Sequence, residues 1–146
     1  MPNIAPENTQ VISLIAAFNQ VHELLLLKRP ESVQQGGLWS FPGGKVENDE
    51  MPLQAAVREF KEETGLKGTL WRHLGKSSHV YSGKTLNFLI FVCFCPDISN
   101  FTPESTAKWV SLNNLNDYAM PKANKELIDM LFMDEVDEYL TALNSK

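Results

Sequence analysis

Apolar and polar positions divide the chain into short, distinct runs. Val11 to Phe18 (VISLIAAF) is apolar and rich in strand formers, Asn19 to His22 are mostly polar, and Glu23 to Lys28 resume as ELLLLK. This predicts two antiparallel strands around a turn, with a buried helix the alternative for the four leucines. Pro30 ends the second run, and Glu31 to Gly37 form a polar loop. Trp39 and Phe41 alternate with Leu38 and Ser40, predicting a short strand into Pro42, after which Gly43 and Gly44 read as a turn. From about Pro52 the period changes. Leu53, Ala56, Val57, Phe60 and Thr64 share one helical arc, and Gly65 supplies a stop. Thr69 to Leu74 predict a strand, and Ser77 to Tyr81 with Thr85 to Cys95 predict a hairpin around Ser82-Gly83-Lys84. Its second arm, LNFLIFVCFC, is apolar enough to be buried on both faces. A loop containing Glu104 and a short strand, Lys108 to Leu112, come next, and Asn113 to Pro121 read as a polar connection. A helical pattern begins near Lys122, with Leu127, Met130, Leu131 and Phe132 on its apolar side and an acidic break at Asp134 to Glu138. Strands with one central and one terminal helix predict an α/β fold, a mixed β-sheet between helices.

Composition narrows this. The 146 residues are 43% hydrophobic and 21% charged, which predicts one domain over 1–146, with 1–9 a loose N-terminal tail. The expected state is a monomer or homodimer. No stretch has the length and hydrophobicity of a membrane span, and the N-terminus lacks the pattern of a signal peptide. A net charge of −5 argues against a nucleic-acid polymer as partner, but not against a small-molecule nucleotide bridged by a cation. Cys93 and Cys95 fall on one face of one strand, poorly placed for a disulfide, so the expected compartment is cytoplasmic. Their expected role is small core hydrophobe, with a metal-binding CxC the alternative.

The chemistry concentrates on the central helix. At about 100° per residue, Glu59, Glu62 and Glu63 lie within roughly 100° of one another, beside the apolar arc. Like charges on neighbouring turns weaken a helix, and Arg58 is the one nearby cation. Hard oxygen donors so arranged suit Mg²⁺, with Mn²⁺ second, and a solvated acidic face is the bland alternative.

The stretch from Gly43 to Leu66 resembles the box of the Nudix hydrolases, GX5EX7REUXEEXGU, with U a large hydrophobic residue. Gly44, Glu50, Arg58, Glu59, Phe60, Glu62, Glu63, Gly65 and Leu66 meet it without departure. The resemblance implies a Nudix-type α/β/α sandwich and hydrolysis of a nucleoside diphosphate linked to another group. It implies Glu59, Glu62 and Glu63 as metal ligands, joined by the Gly43 carbonyl, with Arg58 orienting a carboxylate. Gly44, Glu50 and Gly65 then have structural roles. For the base that takes a proton from water, Glu59 is favoured, and Glu104 is a ligand or alternate base.

Two flanking runs, LWSFPGGKVE and KWVSLNNLNDYAMPKAN, resemble the MutT-type branch, the 8-oxo-dGTP diphosphatases that sanitise the nucleotide pool. That resemblance implies a nucleoside triphosphate split into monophosphate and pyrophosphate. Asn124 would read the base, Phe41 would pack on it, and Arg29 would lie near sugar or phosphate. An N-cap role is the alternative for Asn124. The segment Ser77 to Asn87 shows no clear match, and Lys108 stands where an acid is expected. Two other functions stay open. One is a broad nucleoside triphosphate or dinucleoside polyphosphate hydrolase, for which Tyr81 is a feature. The other is a non-catalytic nucleotide-sensing module.

Overall fold

The computed structural model describes residues 9–29 and 37–143. The expected loop before Gly37 and most of the expected tail lie outside them, but Thr9, assigned to the tail, already opens the first strand. Strands β1 (Thr9–Asn19) and β2 (Leu24–Lys28) are the first predicted pair, so the four leucines are strand and not helix. Strand β3 (Trp39–Ser40) pairs with β2. Strand β4 (Gly43–Lys45) pairs with β1, so the glycine pair is a strand and not a plain turn. Helix α1 (Pro52–Thr64) follows and ends at Gly65.

The strand and hairpin expected next are one long ribbon. Strand β5 runs continuously over Thr69–Tyr81, with register shifts near Leu70 and Leu74, and β6 covers Lys84–Cys95. Its turn is Ser82-Gly83 alone, both at positive φ (49° and 80°), while Lys84 already pairs with Tyr81. Two consecutive positive φ values match the right-handed twist of a hairpin. Strand β7 (Ala107–Val110) pairs with β2. The expected polar connection contains a 3-10 helix, Leu112–Asp117. The last segment is α2 (Lys122–Ile128), a 3-10 turn (Asp129–Phe132) and α3 (Asp134–Leu143), so the helix breaks just before the acidic patch and not within it.

The sheet order is β3-β2-β1-β6-β5, with β4 beside β1 and β7 beside β2. It is mixed because β1 and β6 run parallel while the other pairs are antiparallel. Each face carries its own core. Ile15, Ala17, Leu25 and Phe91 meet Ala56 and Phe60 of α1 on one side. Ala16, Phe18, Leu26 and Ile90 lie in one cluster with Leu127 of α2 and Val136 and Tyr139 of α3 on the other. The α/β/α sandwich is therefore as expected. Two parts of the expected seams are not. Leu53 and Val57 are 42% and 37% exposed, because α1 packs through Ala55, Ala56, Phe60 and Thr64. Phe132 is 52% exposed, because the 3-10 turn rotates it off the face that buries Leu131. Cys93 and Cys95 are buried, free thiols among core side chains. No helix among the described residues is long and apolar enough to cross a membrane.

Candidate active site

The site forms where α1 lies against the glycine strand. Ser13 Oγ of β1 donates to Pro52 O at 2.8 Å, tying the helix start to the sheet. A Cβ on Gly43 would lie 2.1 Å from Ser13 O, and one on Gly44 2.4 Å from a Glu59 carboxylate oxygen. The first is a clash with strand backbone, so only glycine lets β4 lie this close to β1 at Gly43, and the second would push the Glu59 carboxylate out of its place. The Gly43 N–H donates to Glu63 Oε1 at 3.0 Å.

Arg58 organises the outer part of this junction. Its Nε and Nη2 bind Glu50 at 2.7 and 3.0 Å, a two-point contact, and Nη2 also reaches Lys45 O at 3.2 Å. Its Nη1 lies 3.2 Å from Glu59 and 3.5 Å from Glu62. Glu50 is held below the usual carboxylate range by the Arg58 hydrogen bond first and the Glu47 N–H second. The expected rail of three carboxylates is thus uneven. Glu59 is mostly covered, Glu63 is half-buried, and the Glu62 side chain is 58% exposed.

Glu104 joins this group through backbone contacts invisible in the sequence pattern. Thr102 N–H donates to Thr64 O at 2.8 Å and Glu104 N–H to Glu63 O at 2.9 Å. The loop therefore satisfies carbonyls at the helix end, which lack partners within the helix, and brings Glu104 beside Glu63. Burial, followed by Glu59 and Glu104, pushes the Glu63 carboxyl up to about 8, against the opposing Gly43 N–H. A divalent cation would relieve this crowding, and all donors are hard oxygens, so the residues fit Mg²⁺ by chemistry. Among the described residues no three acidic, His or Cys side chains already converge at ligating geometry. Arg58 engages Glu59 and Glu62, and the Gly43 N–H engages Glu63.

A cavity of about 440 Å³, within the range of small-ligand sites, opens from Glu63, Glu104, Gly43 and Gly44 toward Phe41 and Asn124. It adjoins a second cavity of about 550 Å³, with Arg29, Lys45, Phe88 and Asn124 common to both. Tyr81 and Lys84 line the outer one. Phe41 and Asn124 are both buried. The N-cap alternative for Asn124 does not hold: Pro121 occupies the cap, and Asn124 is the third residue of α2. Its Oδ1 instead accepts from Phe41 N–H at 3.1 Å. That bond fixes the amide orientation, and the donor Nδ2 is left for another partner.

Sequence reasoning missed Lys45, Lys84 and Phe88. Lys45 reaches the cleft because β4 extends the sheet beside β1. Lys84 and Phe88 reach it because β6 pairs with β1 in parallel and with β5 in antiparallel register. Alternation along LNFLIFVCFC alone does not identify which face meets a cleft. The outcome is a run of cations, Lys28, Arg29, Lys45 and Lys84, along the cleft of an otherwise acidic chain. Such an arrangement attracts a polyanion to a pole already rich in carboxylates.

Residues 8–131 match the NUDIX domain model, and the chain belongs to that family. A CTP pyrophosphohydrolase of Escherichia coli (strain K12) is 38% identical over 79 residues, 53% of this chain and 58% of that one. The match thus spans little more than half of that relative's length. An 8-oxo-dGTP diphosphatase of the same strain is 27% identical over 114 residues, 77% of this chain and 88% of that one. A solved MutT structure, of Aliivibrio salmonicida or Vibrio cholerae origin, has a TM-score of 0.71 and 30% identity. That likeness covers 84% of this chain and 96% of the MutT chain.

Proposed function

We propose that this Nudix protein is a metal-dependent pyrophosphohydrolase that cleaves a nucleoside triphosphate to the monophosphate and pyrophosphate, with 8-oxo-dGTP the preferred substrate. One observation carries the reading. A single cleft joins a carboxylate pole (Glu63 and Glu104) to a base-sized recess (Phe41, Phe88 and Asn124) past Arg29 and Lys45. That order suits a nucleotide: phosphates at the carboxylates, base at the amide.

Phosphoanhydride hydrolysis needs no covalent intermediate, so positioning and charge neutralisation supply the catalysis. Mg²⁺, held by Glu59, Glu62, Glu63 and the Gly43 carbonyl, would neutralise phosphate charge. Arg58 keeps Glu59 and the Glu50 loop in place, and Arg29 and Lys45 bind phosphate oxygens. For the proton taken from water, the geometry favours Glu104 over the Glu59 favoured by sequence resemblance. Glu59 is held by Arg58 and packed on Gly44, whereas Glu104 lines the open cleft.

At the base end, Nδ2 of Asn124 donates to a base acceptor, and the second lone pair of Oδ1 accepts from a neighbouring N–H. Guanine offers O6 beside N1–H, and 8-oxo-dGTP carries that edge. Cytosine offers N3 beside its amino group and fits the same amide. The identity to a CTP pyrophosphohydrolase makes CTP the second reading.

The test is kcat/KM for 8-oxo-dGTP, dGTP, CTP, dCTP, dATP and a dinucleoside polyphosphate, each with Mg²⁺. The account expects 8-oxo-dGTP to exceed dGTP by about tenfold or more. A clear lead for CTP would move the assignment to the second reading. Nucleotide binding without turnover would make the domain a sensing module.

A further inference from the structure

We propose that His79 is a positioning residue that sets the width of the base end of the cleft. The proposal rests on the reading of that cleft as the nucleotide site. In register, Ser77, His79 and Tyr81 of β5 stand opposite Phe88, Leu86 and Lys84 of β6, so all six side chains share one face of the ribbon. On that face the His79 ring stacks with Tyr81 (centroids 5.8 Å apart, planes at 21°) and meets Phe88 edge-on at 6.2 Å. Both aromatic rings line the outer cavity. Across it, Nε2 of His79 lies 2.9 Å from Glu126 Oε1 on α2, two residues beyond Asn124. One imidazole therefore touches two rings of one wall and the helix that forms the other.

A residue present only for packing would need no buried nitrogen. The Nε2 atom is fully covered and makes no hydrogen bond, and the Glu126 carboxylate is its neighbour at 2.9 Å. The Glu126 carboxylate is the polar group nearest this nitrogen among the described residues, and the contact bridges α2 and the ribbon. Helix α2 has seven residues and no side-chain cap at Pro121. Besides its apolar packing, α2 makes two polar side-chain contacts with distant segments among the described residues. Asn124 meets Phe41 at 3.1 Å on one side, and Glu126 meets His79 on the other. Without the second contact α2 keeps its core packing through Ala123, Leu127 and Ile128 but loses its polar tie to the ribbon, and Asn124 shifts relative to Tyr81 and Phe88. The carboxylates of α1 are held through β4 and Arg58 and are not affected.

The inference is tested by steady-state kinetics of four variants with the preferred triphosphate. His79→Phe keeps the ring and removes the nitrogen, and Glu126→Ala removes the acceptor from a half-exposed surface position that does not threaten folding. Each should raise KM by about three- to tenfold, the range expected for losing one short polar contact, with kcat within about twofold. The double variant should be no worse than either single one, because both remove one interaction. Glu126→Gln retains an acceptor oxygen and should bring KM back to within about twofold of the parent. An unchanged KM in Glu126→Ala, a loss carried by kcat, or multiplying effects in the double variant would overturn the proposal. If the parent protein turned over no nucleotide, the reading of the cleft would fail, and this inference with it. Turnover by the parent with KM insensitive to Glu126 would overturn the inference alone.

Discussion

Glu63→Gln is expected to lower hydrolysis by at least about a hundredfold while making the metal-free protein more stable at pH 8. The first effect follows from losing a charged ligand: metal stabilisation of a transition state is worth several kcal/mol, and about 1.4 kcal/mol is tenfold in rate. The second follows from burial. The Glu63 carboxyl sits at about 8 in the folded protein, against 4.5 for an ordinary glutamate, because burial and the neighbouring Glu59 and Glu104 disfavour its charge. Between those values the folded state holds a proton that the unfolded chain has released. Stability from this group therefore falls as pH rises from about 4.5 to 8, at about 1.4 kcal/mol per unit. Glutamine keeps the shape and the acceptor for Gly43 N–H but carries no charge, so this slope should vanish. Mg²⁺ should raise the melting temperature of the parent at pH 8 far more than that of the variant. Glu62→Gln gives a contrast, because that side chain is 58% exposed. It should lose activity to a similar degree and leave the pH dependence of stability intact. Near-parental rates for both variants at saturating Mg²⁺ would contradict the metal assignment.

Asn124→Asp is expected to cut kcat/KM for the preferred nucleotide by about tenfold or more, with poorly used nucleotides changing little. Aspartate retains an oxygen for Phe41 N–H, so the tertiary bond survives, while a carboxylate at this buried position should lower the melting temperature of the nucleotide-free protein. It has no amide donor and presents negative charge to the base, which falls on the recognised nucleotide alone. Asn124→Ala is the control for structure. It leaves the Phe41 N–H without a partner in a buried site, at a cost of about 1–3 kcal/mol. Equal losses for every nucleotide in Asn124→Asp would remove Asn124 from base recognition and leave it a purely structural link.

Much of this was legible before any coordinates. The change from two-residue to helical period marks α1, and the position of Gly44, Glu50, Arg58 and the glutamates around it gave the family. The apolar run of β6 was also plain, whereas the four leucines of β2 left a buried helix open until their pairing with β1 and β7 settled them as strand. What escaped depends on distant pairing. Glu104 reaches Glu63 through backbone bonds between a loop and a helix end about 40 residues earlier. Asn124 was ambiguous because local capping and a bond to a residue 83 positions away use the same amide. Leu53 and Val57 look like core on a helical wheel, yet α1 buries Ala55, Ala56, Phe60 and Thr64 and leaves those two partly exposed. The cation run needed the whole sheet order, since Arg29, Lys45 and Lys84 come from three separate segments.

The central claim is that this cleft hydrolyses the α–β phosphoanhydride of a nucleoside triphosphate, giving nucleoside monophosphate and pyrophosphate. Turnover of 8-oxo-dGTP with Mg²⁺ in ¹⁸O-labelled water, followed by mass analysis of the products, tests it most directly. The account predicts nucleoside monophosphate and pyrophosphate in equal amounts, with the label in pyrophosphate through attack at the β-phosphorus. Label in the monophosphate would contradict that site of attack, and release of inorganic phosphate with a nucleoside diphosphate would contradict the reaction itself.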